Sequence, residues 1–394
     1  MHASPYGTSV KGFRDGVGPR FVRMDPLLLI ATLCLIGCGL YTIASATKGD
    51  IAGDPNYFIY RQAAYAGVGL LLMAVLSRVD YSRFREWRAG LYVGMLAAVL
   101  IVFAAGTAAR GSRRALDFGF FQFQTSELGK VLLILTLSAF AVDRMRRLGD
   151  RETTSRIVLL ALVPAMLVIA QPDLGSGLVY IAIAIATLFV AGTKWTHFAA
   201  LGGLAAAAVV VVVVAAPAVG VEVLKPYQMD RLTAFVSPSD NPRGQGYQQA
   251  QSLVAIGAGG KTGRGDAATQ TKLDFLPEHH TDFIFSVVGE EFGFMGAALV
   301  LSLFALLIWR CLRILTMSKN LYGSLIAGGI TAMLMFQIFV NVGMTVGIMP
   351  ITGVTLPLMS YGGSSVIVTL MALGLMQSIH AQAREMALAK GRDM

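Results

Sequence analysis

The chain has 394 residues, of which 55% are hydrophobic and only 14% charged, and its net charge is +9; its mean hydropathy is +0.64. A soluble globular domain carries roughly 25% charged residues, so this composition excludes a water-soluble fold and predicts an all-α polytopic membrane protein. Nucleic-acid binding is excluded too, because the basic residues scatter through short loops and form no aromatic-interleaved stripe.

A spanning helix needs roughly 20 mostly apolar residues. Stretches 25–46, 57–77, 89–109, 125–143, 156–171, 174–192, 197–217, 282–312, 320–345 and 356–381 predict about ten transmembrane helices on that criterion. The pair 156–171 and 174–192 is short and split by Pro172 and Asp173, which predicts a tight hairpin whose ends stop short of the far surface. The expected organisation is a tail at 1–24, spans one to seven at 25–217, a large ordered extracytoplasmic loop at 218–281, spans eight to ten at 282–383 and a tail at 384–394. Residues 1–23 lack an apolar run, so the first span is expected to direct insertion. Cys34, Cys38 and Cys311 lie in apolar stretches and read as small core residues, with no disulfide frame or metal site indicated.

Basic residues set the orientation. Arg14, Arg20 and Arg23 precede the first span; Arg78, Arg83, Arg85 and Arg88 follow the second; Arg144, Arg146 and Arg147 follow the fourth; Arg310, Arg313 and Lys319 follow the eighth; Arg384 and Lys390 close the chain. This alternation places both termini in the cytoplasm. The loop after the third span breaks the rule with Arg110, Arg113 and Arg114, which suits either an anionic ligand or lipid headgroups. The long loop is basic as well, but long loops translocate despite their charge. Turn residues and an amphipathic stretch from Tyr247 to Ile256 predict that it is ordered. Its run Gly257 to Gly263 imitates a phosphate-binding loop, yet the first glycine of that motif falls at Ala255 and no strand precedes it, so a tight or flexible turn is expected.

Charges inside the spans carry the chemical signal. Arg61, Glu127, Lys130, Asp173, Asp282, Glu290 and Glu291 each fall in or beside an apolar stretch, where a mid-bilayer charge costs roughly 2.5–3.5 kcal/mol. They must pair or line a wet cavity, and on the topology above Arg61, Glu127, Lys130, Asp173 and Asp282 share the external side. Glu127 and Lys130, three apart, lie on one helix face and also read as a local pair; Asp173 also reads as a helix cap. Asp282 follows Thr281 at a helix start, where capping and catalysis both account for an acid. Glu278, His279 and His280 next to it match no standard zinc spacing. Gln337 and Asn341, four apart in the ninth span, read as inter-helix hydrogen-bond glue ahead of a ligand role. Prolines and glycines between Met349 and Ser365 predict a re-entrant or broken segment, tolerated at membrane depth only where protein or water satisfies the backbone.

Several stretches together carry a resemblance: Arg61-Gln62; Gly111-Ser112-Arg113-Arg114; Gln124-Thr125-Ser126-Glu127-Leu128-Gly129-Lys130; Gln171-Pro172-Asp173-Leu174-Gly175; Arg231-Leu232-Thr233-Ala234-Phe235; Gly244 to Gly260; Leu276 to Glu291; and Pro350 to Ser365. They span nearly the whole chain in order, and the sequence resembles the SEDS (shape, elongation, division and sporulation) family of bacterial inner-membrane peptidoglycan glycosyltransferases. The Met24-Asp25-Pro26 opening and the Asn341-Val342-Gly343-Met344 run look more RodA-like than FtsW-like. Two positions depart from the family pattern: Ala115 stands where Trp is usual, and Thr125 replaces the Pro of Gln-Pro-Ser-Glu.

The resemblance implies polymerisation of lipid II with release of undecaprenyl diphosphate. It implies that Asp282 is the general base, with Arg61, Arg113, Arg114, Glu127, Lys130, Asp173, Thr281, Ser360 and Ser364 toward substrate and no assigned chemistry for His279 and His280. A divalent cation, Mg or Mn, is a possible companion without a firm ligand set, and a class B penicillin-binding protein (a transpeptidase) is the expected partner. Two other functions fit the same charges: a lipid II flippase, which predicts a charged path through the cytoplasmic half, and a non-catalytic scaffold recruiting a transpeptidase, which predicts that Asp282 is freely replaceable.

Overall fold

The structure, a computed structural model, describes residues 24–48, 54–105, 107–109, 112–117, 119–212, 229, 231, 235, 245–271, 275–276, 278–389 and 391. Most of the N-terminal tail, much of the 218–281 loop and Arg392 of the C-terminal tail therefore lie outside the described residues. The helices are α1 (Pro26–Ala46), α2 (Tyr57–Leu76), α3 (Arg88–Ala105), α4 (Thr125–Asp143), α5 (Arg151–Ala170), α6 (Leu174–Val190), α7 (Trp195–Val210), α8 (Gln245–Gly259), α9 (Ile284–Met317), α10 (Leu321–Thr345) and α11 (Gly363–Ala389). Among the described residues, α1, α2, α4, α5, α9, α10 and α11 are long and apolar enough to cross a membrane, and α3, α6 and α7 are shorter apolar helices. The protein is a multi-pass, helical membrane protein.

Local sequence fixes the starts of several helices. Asp25 precedes Pro26 and its carboxylate accepts from the Leu28 N–H at 2.9 Å; Asp173 does the same for Ser176 at 3.1 Å and Asn320 for Gly323 at 2.8 Å. Each satisfies an N–H that the first helical turn leaves unpaired. Helices α11, α4 and α10 are the most enclosed and form the centre of the bundle, whereas none of the residues of α7 is buried.

Four features differ from the sequence expectation. Helix α5 begins at Arg151 rather than 156 and runs for 20 residues, because Thr153 and Thr154 are buried and continue the helix N-terminally; at 1.5 Å per residue it is long enough to span. Helix α3 ends at Ala105, before Gly106, and the chain then forms a three-stranded antiparallel sheet of β1 (Thr107–Ala109), β2 (Ser112–Asp117) and β3 (Gln122–Gln124). Helix α9 carries a break at Gly293 (φ 61°, ψ −158°). Finally, α11 starts at Gly363 instead of 356, since residues 350–362 have no regular structure.

At the end of the bundle where α1 begins, Arg310 of α9 binds the fully buried Asp25 carboxylate with its Nε and Nη2. The Asp25 backbone exchanges two hydrogen bonds with the Gln377 side chain of α11, at 2.7 and 3.1 Å. This cluster ties α1, α9 and α11 together at the end remote from Asp282.

Candidate active site

The site is built around the irregular segment 350–362, which is largely buried. Buried backbone without a ladder must find other partners, and here they are side chains. Arg231 Nη1 donates to the Thr352 carbonyl at 3.1 Å, Asn341 Nδ2 to the Val354 carbonyl at 2.7 Å and Gln62 Nε2 to the Ser360 carbonyl at 3.0 Å. The Leu356 N–H donates to Ser360 Oγ at 2.8 Å, and the Gly362 N–H to Gln62 Oε1 at 3.2 Å.

Asp282 lies directly against this segment. Phe283 holds the N-cap position of α9 with no side-chain cap bond, and Asp282 stands one residue before it. Asp282 is half-buried. Gly353, at φ +75°, has no side chain, and a Cβ there would sit 3.5 Å from Asp282 Oδ2 and 3.9 Å from Arg231 Nη2. An acid and a guanidinium therefore flank one bare turn. Such a pair offers a proton acceptor beside a cationic site for a leaving anion.

A second polar group packs against the same turn. A Cβ on Gly175, at the start of α6, would meet the Thr352 carbonyl oxygen at 2.9 Å. Two residues earlier, Asp173 is buried, and its Oδ2 accepts from Gln124 Nε2 and Ser126 Oγ, both at 3.0 Å. Its second oxygen caps α6, so the cap reading holds and the carboxylate also binds the start of α4. On α4, Lys130 Nζ lies 2.6 Å from Glu127 Oε1, with side-chain exposures of 2% and 9%, a desolvated ion pair of the local kind the spacing allows.

The other expected site residues divide by role. Arg61 stacks over Tyr57 and Phe120 at 4.4 and 5.1 Å, in cation–π geometry. Tyr361 is near Arg61. The Thr281 hydroxyl donates to Glu278 Oε2 at 2.8 Å, inside the turn preceding Asp282. Ser360 is 1% exposed with its hydroxyl engaged as above, and the Ser364 hydroxyl donates to the Gln122 carbonyl at 2.7 Å and accepts from the Gln124 N–H at 2.9 Å. These two serines hold the segment and the sheet in place. Arg113 and Arg114 belong to β2, where Arg113 pairs with Ala108; their side chains lie outside the described residues. Ala115 pairs with Thr107 and Gln124 in the middle of the sheet. His279 is buried with Nδ1 3.1 Å from the Leu276 carbonyl, and His280 packs against Phe58 and Tyr361.

Comparison with known proteins places this arrangement. The model of the FtsW/RodA/SpoVE family, described as cell cycle protein, matches residues 25–385. The chain belongs to this family. It is 37% identical over 368 residues to Stage V sporulation protein E of Bacillus subtilis (91% of this chain, 98% of that one). It is 35% identical over 364 residues to peptidoglycan glycosyltransferase MrdB of Escherichia coli (92% and 95%). Among solved structures, the rod shape determining protein RodA of Thermus thermophilus matches with a TM-score of 0.65 at 31% identity, covering 92% of this chain and 98% of that one. A chain from a peptidoglycan synthase complex, described as coordinating polymerization and crosslinking, matches with a TM-score of 0.76 at 34% identity, covering 91% and 97%.

Within this FtsW/RodA/SpoVE fold the residues that build the turn beside Asp282 include three that the sequence does not single out. Arg231 was visible inside a family-like stretch, but it lies in a long loop where basic residues are unremarked. Gln62 follows Arg61 and binds both sides of the 360–362 peptides. Asn341 joins α10 to the residue before Phe283 and to the 350–362 segment through the Asp282 and Val354 carbonyls. Among the described residues no three His, Cys, Asp or Glu side chains gather in a way that could hold a metal ion.

Proposed function

We propose that this chain is a peptidoglycan glycosyltransferase that polymerises lipid II, with Asp282 as the general base. The observation that carries the reading is the half-buried Asp282, its carboxylate facing Arg231 across Gly353. Asp282 takes the proton of the acceptor sugar's 4-hydroxyl as its oxygen attacks the donor's anomeric carbon. A new C1–O bond forms with inversion, the bond from C1 to the diphosphate oxygen breaks, and undecaprenyl diphosphate leaves with the electron pair. General-base action contributes typically ~10²–10⁴-fold, so electrostatic stabilisation of the departing diphosphate supplies much of the rest. Arg231 is best placed for it, with Arg61, Arg113 and Arg114 as further cationic candidates. Mg or Mn binds through one or two carboxylates plus substrate phosphates, and a bound cation would add charge neutralisation at the departing diphosphate.

The finer reading places about ten spans in a bacterial cytoplasmic membrane with both termini cytoplasmic, supported by the seven long and three shorter apolar helices and by the basic loops. A class B penicillin-binding protein is the proposed partner, supported by the likeness to a chain of a peptidoglycan synthase complex. A role in elongation rests on the RodA-like stretches. Detergent-solubilised protein, with no bilayer to cross, is expected to make glycan polymer from lipid II. Failure to do so, with transport across vesicle bilayers retained, would favour a flippase.

A further inference from the structure

The reaction derived above depends on where the Asp282 carboxylate points, and the Asn341 side chain holds the carbonyl of the residue that carries it. Asn341 of α10 is fully buried. Its Nδ2 donates one hydrogen to the Asp282 carbonyl at 2.8 Å and the other to the Val354 carbonyl at 2.7 Å. The first carbonyl belongs to the proposed base; the second is next to Gly353, whose bare face borders Asp282 Oδ2 and Arg231 Nη2. One nitrogen thus pins both walls of the catalytic turn to one rigid helix.

The Ser286 and Val287 amides of α9 donate to the Phe283 carbonyl at 2.9 and 3.3 Å, while the Asp282 carbonyl accepts from Asn341 of α10. The amide orientation follows from the partners: the opposite flip would set Oδ1 against two carbonyl oxygens. The flip that binds both carbonyls leaves Asn341 Oδ1 buried without a hydrogen-bond partner, although buried polar atoms are normally satisfied. Both hydrogens of the amide are therefore committed to the two carbonyls that border the turn. Local rules of this kind are broken where function constrains the position.

We propose that Asn341 is a positioning residue for the Asp282 base, setting the carboxylate relative to Arg231 and the acceptor hydroxyl. The inference rests on the assignment of Asp282 as base. Displacements of about 1 Å can cost ~10²-fold in rate, so the expected loss lies in kcat and not in KM.

The test uses purified full-length protein with lipid II, comparing wild type, Asn341→Asp, Asn341→Ser and Asp282→Asn. Asn341→Asp keeps the shape, but only its protonated form carries a donor. Its kcat should fall about 10²-fold with KM nearly unchanged, and its activity relative to wild type should rise as pH is lowered. Asn341→Ser, which keeps one donor on a shorter side chain, should show the kcat loss without that pH trend. The charged groups beside the pair are Asp282 and Arg231 at the turn, with Glu278 and His279 preceding it; the carboxylate introduced by Asn341→Asp couples to them, whereas Asn341→Ser adds no charge and reports the positional loss without that coupling. A folded Asn341→Asp enzyme with wild-type kcat, or with a uniformly scaled pH profile, would overturn the proposal. So would failure of both Asn341 variants to fold, which would mark a purely structural residue. Retained turnover in Asp282→Asn would instead remove the base assignment itself.

Discussion

Lys130 is 2% exposed and meets a carboxylate that is itself nearly enclosed. Removing one member of such a pair strands the other, at a cost of about 3–5 kcal/mol. Lys130→Met should therefore lower the melting temperature of the detergent-solubilised protein strongly, and adding Glu127→Gln should recover much of the loss; equal melting of the single and double variants would contradict a coupled pair. At the catalytic turn, Arg231→Ala should lower polymerisation by about 10²–10³-fold, the scale set by losing one preorganised charge donor, with the fold retained. Gly353→Ala forces a left-handed conformation that costs roughly 1–2 kcal/mol and sets a methyl between acid and guanidinium; steady-state kinetics should show the loss in turnover. The acids and Lys130 were legible in the sequence because charge in an apolar stretch demands a reason. Arg231 and Asn341 were not: an arginine in a basic loop is unexceptional, and an amide in a helix does not announce which carbonyls it will meet.

At the scale of elements, α9 behaves as two pieces with different partners. Its first part holds Glu290, which is fully buried and accepts from the N–H groups of Thr269, Gln270 and Thr271 at 2.7, 2.8 and 3.0 Å and from the Thr271 hydroxyl at 2.6 Å. The turn after α8 then inserts into the break: the Phe294 N–H donates to the Gly260 carbonyl at 2.9 Å and Met295 to Lys261 at 3.1 Å. Replacing Gly293 would bring a Cβ to 2.4 Å from the Gly263 nitrogen, which leaves no room for any side chain. Gly293→Ala is expected to dislodge this turn, seen as faster proteolysis between residues 245 and 271; unchanged cleavage would contradict the interlock. The sequence pattern predicted one uninterrupted span here, since glycine is common in membrane helices and only the inserted turn reveals the break. The amphipathic stretch from Tyr247 was readable as order in the loop, and α8 is that order. The sheet at 107–124 was not readable, because strands as short as β1 and β3, three residues each, leave no alternating pattern long enough to detect.

For the whole molecule, the helical membrane fold followed from hydropathy alone, and most helices begin and end within a few residues of the expected spans. The departures lie where tertiary contacts override hydropathy, as at the buried and irregular 350–362 segment. Its carbonyls are held by Gln62, Arg231 and Asn341, which reach it from three separate parts of the chain. The remote Asp25–Arg310 pair and the turn beside Asp282 lie on opposite sides of the Gly293 break in α9. The account rests on Asp282 acting as a base on an otherwise intact scaffold. The direct measurement is glycan polymerisation from lipid II by purified wild type and Asp282→Asn, each shown to melt at the same temperature. The account predicts polymer from wild type and a loss of at least about 10²-fold in the variant, the lower bound for general-base catalysis. Wild-type turnover by a folded Asp282→Asn protein would contradict it.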